Sequence, residues 1–337
     1  MTLAWVALAA TAFATAASAS QSTEILRPTG GLSQRVCDSL YEPIALTQAS
    51  DGRYLLLDRR AHTVYAVDRT GARLTKVLEA GMQKGEVLQP AALSLAPDNA
   101  YAISDAPFGQ ERIQVFNGAG SQIRAFLRPG LTTPRLTMGP LILNGVGSLQ
   151  FTGTSFFINA PESGALISEL DLSGDPVRQF GTLRATGHEG DRNVHLALNI
   201  GLALPGRDGS VTFVFQTGTP QFRKYDATGT LVFERHIEGS QLDPYLHLLP
   251  TVWPTRKIGD GTYPVVPPTV RTAALDVNGN LWVSLVVPYT YVYDTRGDRL
   301  RTVQFDGTGG AAPSSLSFSR ATGRALVLPG CYEYDVK

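Results

Sequence analysis

Five copies of Asp/Asn-x-x-Gly punctuate this chain, each closing a stretch in which apolar residues alternate. They read Asp68-Arg69-Thr70-Gly71, Asn117-Gly118-Ala119-Gly120, Asp171-Leu172-Ser173-Gly174, Asp226-Ala227-Thr228-Gly229 and Asp294-Thr295-Arg296-Gly297. Asp or Asn opens a type I turn by bonding the backbone just ahead of it, and Gly at the fourth position takes the left-handed conformation a hairpin then needs. A recurrence of roughly 50 residues marks one supersecondary unit used repeatedly.

Each unit keeps one order: a strand of small residues, a tight turn, an apolar strand, a loop, an alternating strand, the Asp-x-x-Gly turn and a last strand. In the first unit these strands fall at Ile44 to Ala49, Tyr54 to Leu57, Thr63 to Val67 and Arg73 to Leu78. Units two to five follow from Ala91, Ser148, Ile200 and Thr272, and a sixth opens at Ser314 and stops at Tyr332-Glu333-Tyr334-Asp335, one strand short. Thr23 to Arg27 resembles the missing strand and is expected to pair beside the final one. The fold class is therefore all-β: a six-bladed β-propeller of four-stranded blades, its ring closed by an N-terminal strand pairing into the last blade. First strands such as Ala91-Ala92-Leu93-Ser94 and Ser314-Ser315-Leu316-Ser317 suit the crowded channel. Tyr65, Tyr225, Tyr289, Tyr291, Tyr293, Tyr332 and Tyr334 read as packing between blades.

The only two cysteines, Cys37 and Cys331, lie near opposite ends. The repeat puts both on one face of the closing blade, so a disulfide between them would staple the ring. Leu3 to Ala17 is apolar and uncharged, with Ala17-Ser18-Ala19 as a small-x-small cleavage pattern. Residues 1–19 thus read as a secretory signal, although no Lys or Arg precedes the apolar run. About 15 apolar residues fall short of a membrane span, so a periplasmic or secreted monomer is expected, in one domain over residues 20–337. Lys plus Arg equal Asp plus Glu at 29 each, so no net field draws the chain to nucleic acid or an anionic membrane. Between units four and five, residues 238–271 hold six prolines with Tyr245, Trp253 and Tyr263. Proline argues against a regular strand there, and the aromatics point to a packed or partner-facing loop.

Ala102-Ile103-Ser104-Asp105 followed by Arg112-Ile113-Gln114-Val115-Phe116 resembles the NHL-repeat pattern of strand-Asp, loop, Arg-Ile-x-x-Phe. The first unit keeps Leu57-Asp58, while later units carry Asn159, Gln216 and Leu285 near the Asp position. The chain is similar to exported bacterial six-bladed propellers related to NHL and to the gluconolactonase-like group, motif-specific in the first two blades. That resemblance implies a protein of a group made mostly of binding and scaffold proteins, with a minority of metal-dependent lyases and lactonases. It also implies that Asp105 bonds backbone or Arg112.

Candidate chemistry concentrates on the face carrying the strand two–three loops and the inter-blade loops. Ligand-binding candidates are Asp58, Asp105, His62, Asn159, Trp253 and Tyr263. Weak metal candidates are Asp105, Asn159, Glu42 and Asn199 (or Asn144), and His62, His188, His195 and His247 share the face without close ligand spacing. No Ser-His-Asp set, phosphate-binding glycine loop or metal-spaced Cys pair is present, so no catalytic residue is assigned. The favoured function is a non-catalytic binding or scaffold propeller, needing no cofactor, that offers its loop-rich face to a protein, peptide or glycan. The alternative is a divalent-metal lactonase or lyase, with Ca or Zn at the channel mouth.

Overall fold

All five Asp/Asn-x-x-Gly segments close as hairpin turns. In each, the glycine N–H donates to the Asp or Asn carbonyl at 2.9–3.1 Å, and the side-chain Oδ1 accepts the N–H two residues on at 2.7–3.2 Å. The computed structural model describes residues 22–107, 110–128, 134–138, 141–144, 148–258 and 261–336; residues 1–19, expected to be a secretory signal, lie outside them. Among the described residues no helix is long and apolar enough to cross a membrane.

These turns join the third and fourth strands of antiparallel sheets. Blade one is Pro43–Gln48, Tyr54–Asp58, Thr63–Val67 and Leu74–Lys76. Blade two is Ala92–Leu95, Tyr101–Asp105, Arg112–Phe116 and Gln122–Leu127; blade three is Gln150–Phe151, Phe156–Ile158, Ala165–Leu170 and Pro176–Thr182. Blade four is Gly201–Pro205, Val211–Phe215, Gln221–Tyr225 and Leu231–His236; blade five is Val270–Leu275, Leu281–Leu285, Thr290–Tyr293 and Arg299–Phe305. Blade six takes Ser315–Phe318, Ala325–Leu328 and Tyr332–Tyr334 from the C-terminus and Pro28–Gly31 from the N-terminus. The innermost strands touch in order around a closed ring, one to six and back to one. The molecule is a six-bladed β-propeller.

Second strands such as Tyr54–Asp58, Tyr101–Asp105 and Val211–Phe215 are buried at every position, because both their faces meet neighbouring blades. Aromatic pairs fill these contacts: Phe180 with Tyr225 between blades three and four at 5.5 Å, Phe222 with Tyr293 between four and five at 4.9 Å, and Phe305 with Tyr334 between five and six at 4.8 Å. The turn glycines also set the spacing. A Cβ on Gly174 of blade three would stand 2.3 Å from the Phe126 ring of blade two. Gly229 meets Phe180 and Gly297 meets Phe233 in the same way, each on the preceding blade. Left-handed φ and close approach thus coincide at one residue.

The ring closes through two strands, where the sequence pointed to one. Thr23–Leu26, expected beside the last strand of the chain, instead lies parallel to Arg299–Phe305 as a fifth strand of blade five. The following Pro28–Gly31 pairs antiparallel with Tyr332–Tyr334 and completes blade six. The local reason is space. A Cβ on Gly31 would come within 2.3 Å of the Cys331 carbonyl and one on Gly30 within 3.1 Å of Glu333 Oε2, so the edge of blade six admits glycines, not Thr-Glu-Ile-Leu. Arg301 pairs with Glu24 at 2.9 Å, and across the seam to blade one Tyr54 donates to Glu333 at 2.6 Å. Ser33 then caps a short helix, Gln34–Asp38, which presents Cys37 to Cys331. The two are disulfide-bonded with Cα atoms 6.1 Å apart and a sequence separation of 294. On the chain-entropy account such a loop contributes on the order of 5 kcal/mol at most.

The segment 238–271 corrects a second expectation. It forms a helical turn, Asp243–Leu246, and an antiparallel hairpin of Thr255–Ile258 with Gly261–Pro264. Its prolines spare the hairpin because Pro264 stands at a strand end, where a missing N–H matters least. A further hairpin, Pro134–Met138 with Leu141–Asn144, lies between blades two and three.

Deleting residues 22–26 removes only the extra strand of blade five and should lower the melting temperature modestly. Extending the deletion through Gly31 strips blade six of its fourth strand and should abolish the cooperative transition in a thermal melt; an unchanged transition would show that closure contributes nothing.

The turn carboxylates generate a pH dependence. The Thr70 hydroxyl holds Asp68 below the usual carboxylate range, the Thr228 hydroxyl does so for Asp226, and the Asp298 backbone N–H for Asp294. Groups depressed in the folded state contribute stability that is complete above the unfolded value of about 4 and is lost as pH falls through the folded values. Replacing all three by Asn, which blade two already carries at Asn117, should flatten the acid limb of a stability–pH curve; an unaltered limb would assign it elsewhere.

Candidate functional site at the channel mouth

The inner strands enclose a channel cavity of about 1550 Å³. Ala91, Ala92, Ser94, Ser314, Ser315 and Ser317 line its waist, since converging strands leave little room for longer side chains. At the loop-rich mouth stand Glu42, Arg59, Asn159, Gln216 and Arg271, with Tyr245, Pro267 and Pro268 as an apolar wall. Tyr245 and both prolines come from the inserted segment. At the opposite mouth the strand one–two turns bring Arg207, Asp208 and Arg320.

In blades one to four, the polar residues at the ends of the second strands act as backbone clamps. Asp58 is wholly buried and accepts the N–H groups of Tyr41 at 2.7 Å, Glu42 at 3.1 Å and Ala61 at 3.0 Å. Asp105, equally buried, accepts the Leu88 N–H at 3.0 Å, from the same relative place in its own blade. It also receives a bidentate pair from Arg112, at 2.9 and 2.6 Å, and Arg112 passes its remaining N–H groups to the Met82 and Glu86 carbonyls. In blades three and four an amide replaces the carboxylate and reaches forward instead. Asn159 donates to the Leu166 carbonyl at 2.8 Å and accepts from the Gly201 N–H at 3.2 Å, while Gln216 donates to the Arg271 carbonyl at 3.2 Å. An amide can serve both polarities of backbone group; a carboxylate can only accept.

The other predicted residues are dispersed. His62 accepts the Gln89 N–H at 3.1 Å. His195 shares a hydrogen bond of 2.8 Å with Thr186, His188 is half-buried and His247 exposed. Asn199 is buried and holds both backbone groups of Arg184. Glu42 is paired with Arg59 through two contacts, one of 3.0 Å. Trp253 is 8% exposed and packs with Val194, Ala197, Leu198 and Val266, so its ring serves the base of the inserted segment. Tyr263 lies in the hairpin packed on the helix Arg192–Ala197. Asn144 has its backbone described and nothing further. Among the described residues no three His, Cys, Asp or Glu side chains stand together so as to hold a metal ion. Asp105, Asn159, Asn199 and Glu42 are each committed to other groups, so this donor set does not fit a divalent cation, which needs several free oxygens on one point.

Two arginines escaped the sequence reading. Arg184 is buried and donates to the carbonyls of Leu198 (3.1 and 2.6 Å), Thr217 and Thr219, with its guanidinium 4.4 Å from the Phe215 ring centre. Burial, with Arg223 nearby, pushes its guanidinium down to about 10; it locks the loop before blade four. Arg271 is the other. Its signal was legible: of the residues in the six innermost strands, it alone is charged.

No protein-family model matches the sequence, and no curated protein matches it. Among solved structures the chain is similar to a streptogramin B lyase, at 12% identity, over 88% of this chain and 93% of that one, with a TM-score of 0.53. It is also similar to selenomethionine-substituted virginiamycin B lyase from Staphylococcus aureus, at 12% identity, over 85% and 77%, with a TM-score of 0.48. The likeness is one of fold.

Asp105→Ala would strand Arg112 in the interior without its carboxylate. Removing one partner of a buried pair costs about 3–5 kcal/mol, so chemical denaturation should show a loss of that order. A loss under about 1 kcal/mol, the scale of an exposed pair, would mean that the clamp is not structural.

Proposed function

We propose that this chain is a non-catalytic binding propeller that takes a protein, peptide or glycan ligand at the loop-rich mouth of its channel. One observation carries this reading: the carboxylates and amides able to build a reactive or metal-holding centre are spent on backbone groups and ion pairs. What is left at the mouth is an open cavity with separated polar groups and an apolar wall, the composition of a recognition surface. The Asp105–Arg112 clamp agrees with the NHL-like pattern of blade two, whose group is mostly made of binding proteins. The disulfide fits an oxidising compartment, and with the apolar leader it supports a periplasmic or secreted protein.

The alternative, a metal-dependent lactonase or lyase, draws on the shared propeller of a solved lyase. The two readings separate in one assay set. The purified chain should give no turnover of simple lactones or esters with Ca²⁺, Mg²⁺, Mn²⁺ or Zn²⁺ above the metal-only blank, and should show saturable binders on peptide or glycan arrays. Metal-dependent turnover abolished by Glu42→Gln or Asn159→Ala would promote the enzyme.

A further inference from the structure

We infer that Arg271 is the anion-recognition residue of the channel mouth, receiving the carboxylate of a monoanionic ligand whose apolar body lies against Tyr245, Pro267 and Pro268. This deepens the binding reading given above and rests on it.

The position is built. Ladder pairing in blade five passes from Val270 opposite Leu285 to Thr272 opposite Ser284, leaving Arg271 as the extra residue of a β-bulge. Bulges re-aim a side chain that regular pleating would point elsewhere. The backbone around it is fixed from blade four: the Gln216 carbonyl accepts the N–H groups of Thr269 at 2.8 Å and Val270 at 3.2 Å, and the Gln216 amide donates to the Arg271 carbonyl. Pro268 is bridged to Thr217 just before it.

The side chain, by contrast, has no partner among the described residues. Its Nε is buried without a hydrogen bond, although the residue lines the cavity. Other arginines with little exposure are satisfied: Arg59 by Glu42, Arg112 by Asp105 and Arg128 by Glu111, and Arg184 by carbonyls. A buried N–H left unpaired is costly, and a fixed backbone holding an unpaired guanidinium is arranged for a group that arrives from outside.

A guanidinium offers a planar fork of donors matched to the two oxygens of a carboxylate. At this mouth Arg59 is already neutralised by Glu42, and Arg207 and Arg320 belong to the far mouth. One unpaired cation beside an apolar wall therefore selects a monoanionic carboxylate with an apolar body over inorganic phosphate.

The test uses benzoate, benzamide and inorganic phosphate as probes of the full mature chain, followed by calorimetric titration. Benzoate should bind saturably and more tightly than the other two. Arg271→Gln should weaken benzoate about tenfold or more, the scale of one lost charge-assisted pair, and Arg271→Lys should fall between. The melting temperature of Arg271→Gln should be no lower than that of the parent, since no internal partner is lost. Absent benzoate binding, equal binding by Arg271→Gln, tighter binding of phosphate, or a lowered melting temperature would each overturn the assignment. If arrays still report ligands while benzoate fails, the binding reading stands and only the role of Arg271 falls.

Discussion

Pairing of the N-terminal segment with two different blades is the constraint on which the rest of this ring depends. Each blade buries its second strand only because another blade lies on either side, so an open ring would expose whole faces as well as edges. Thr23–Leu26 binds blade five and Pro28–Gly31 binds blade six, so two consecutive strands tie the last two blades together before blade one begins. The Cys37–Cys331 bond and the Tyr54–Glu333 hydrogen bond then fix blade one to blade six. Channel, mouth and clamps all inherit their geometry from this seam.

The turns were the most legible part of the sequence, because Asp/Asn-x-x-Gly encodes a local conformation that needs no tertiary help. They gave the strand order, the blade number and the facing of the two cysteines. The closing strand was misplaced because strand propensity favours Thr-Glu-Ile-Leu, whereas the decisive term was the close approach of Gly30 and Gly31 to blade six. The hairpin in residues 238–271 is hidden for a related reason: proline density argues against a strand, whereas a proline at a strand end, such as Pro264, leaves the ladder intact.

The site was less legible, because a residue type does not reveal its partner. Asp58 and Asp105 look alike as ligands and as clamps until their N–H donors are known. Trp253 in a proline-rich loop looks like a docking aromatic until Val194 and Val266 are found around it. Arg271 offers the converse case. A lone charge in an otherwise uncharged ring of inner strands is visible in sequence once the strands are aligned, but only the bulge and the missing partner give it meaning.

The double attachment of the N-terminus also orders events in time. Residues 23–31 find their partners only among residues 299–334, near the other end of the chain. Blades one to four can assemble as they emerge from a ribosome or a translocation pore, since each is contiguous in sequence. The first seven paired positions must wait, unsatisfied, until almost the whole polypeptide has been delivered. Ring closure is thus a late, long-range step with a high loop-closure cost, and an interrupted chain exposes an unprotected sheet edge at both ends, the condition under which copies associate with one another.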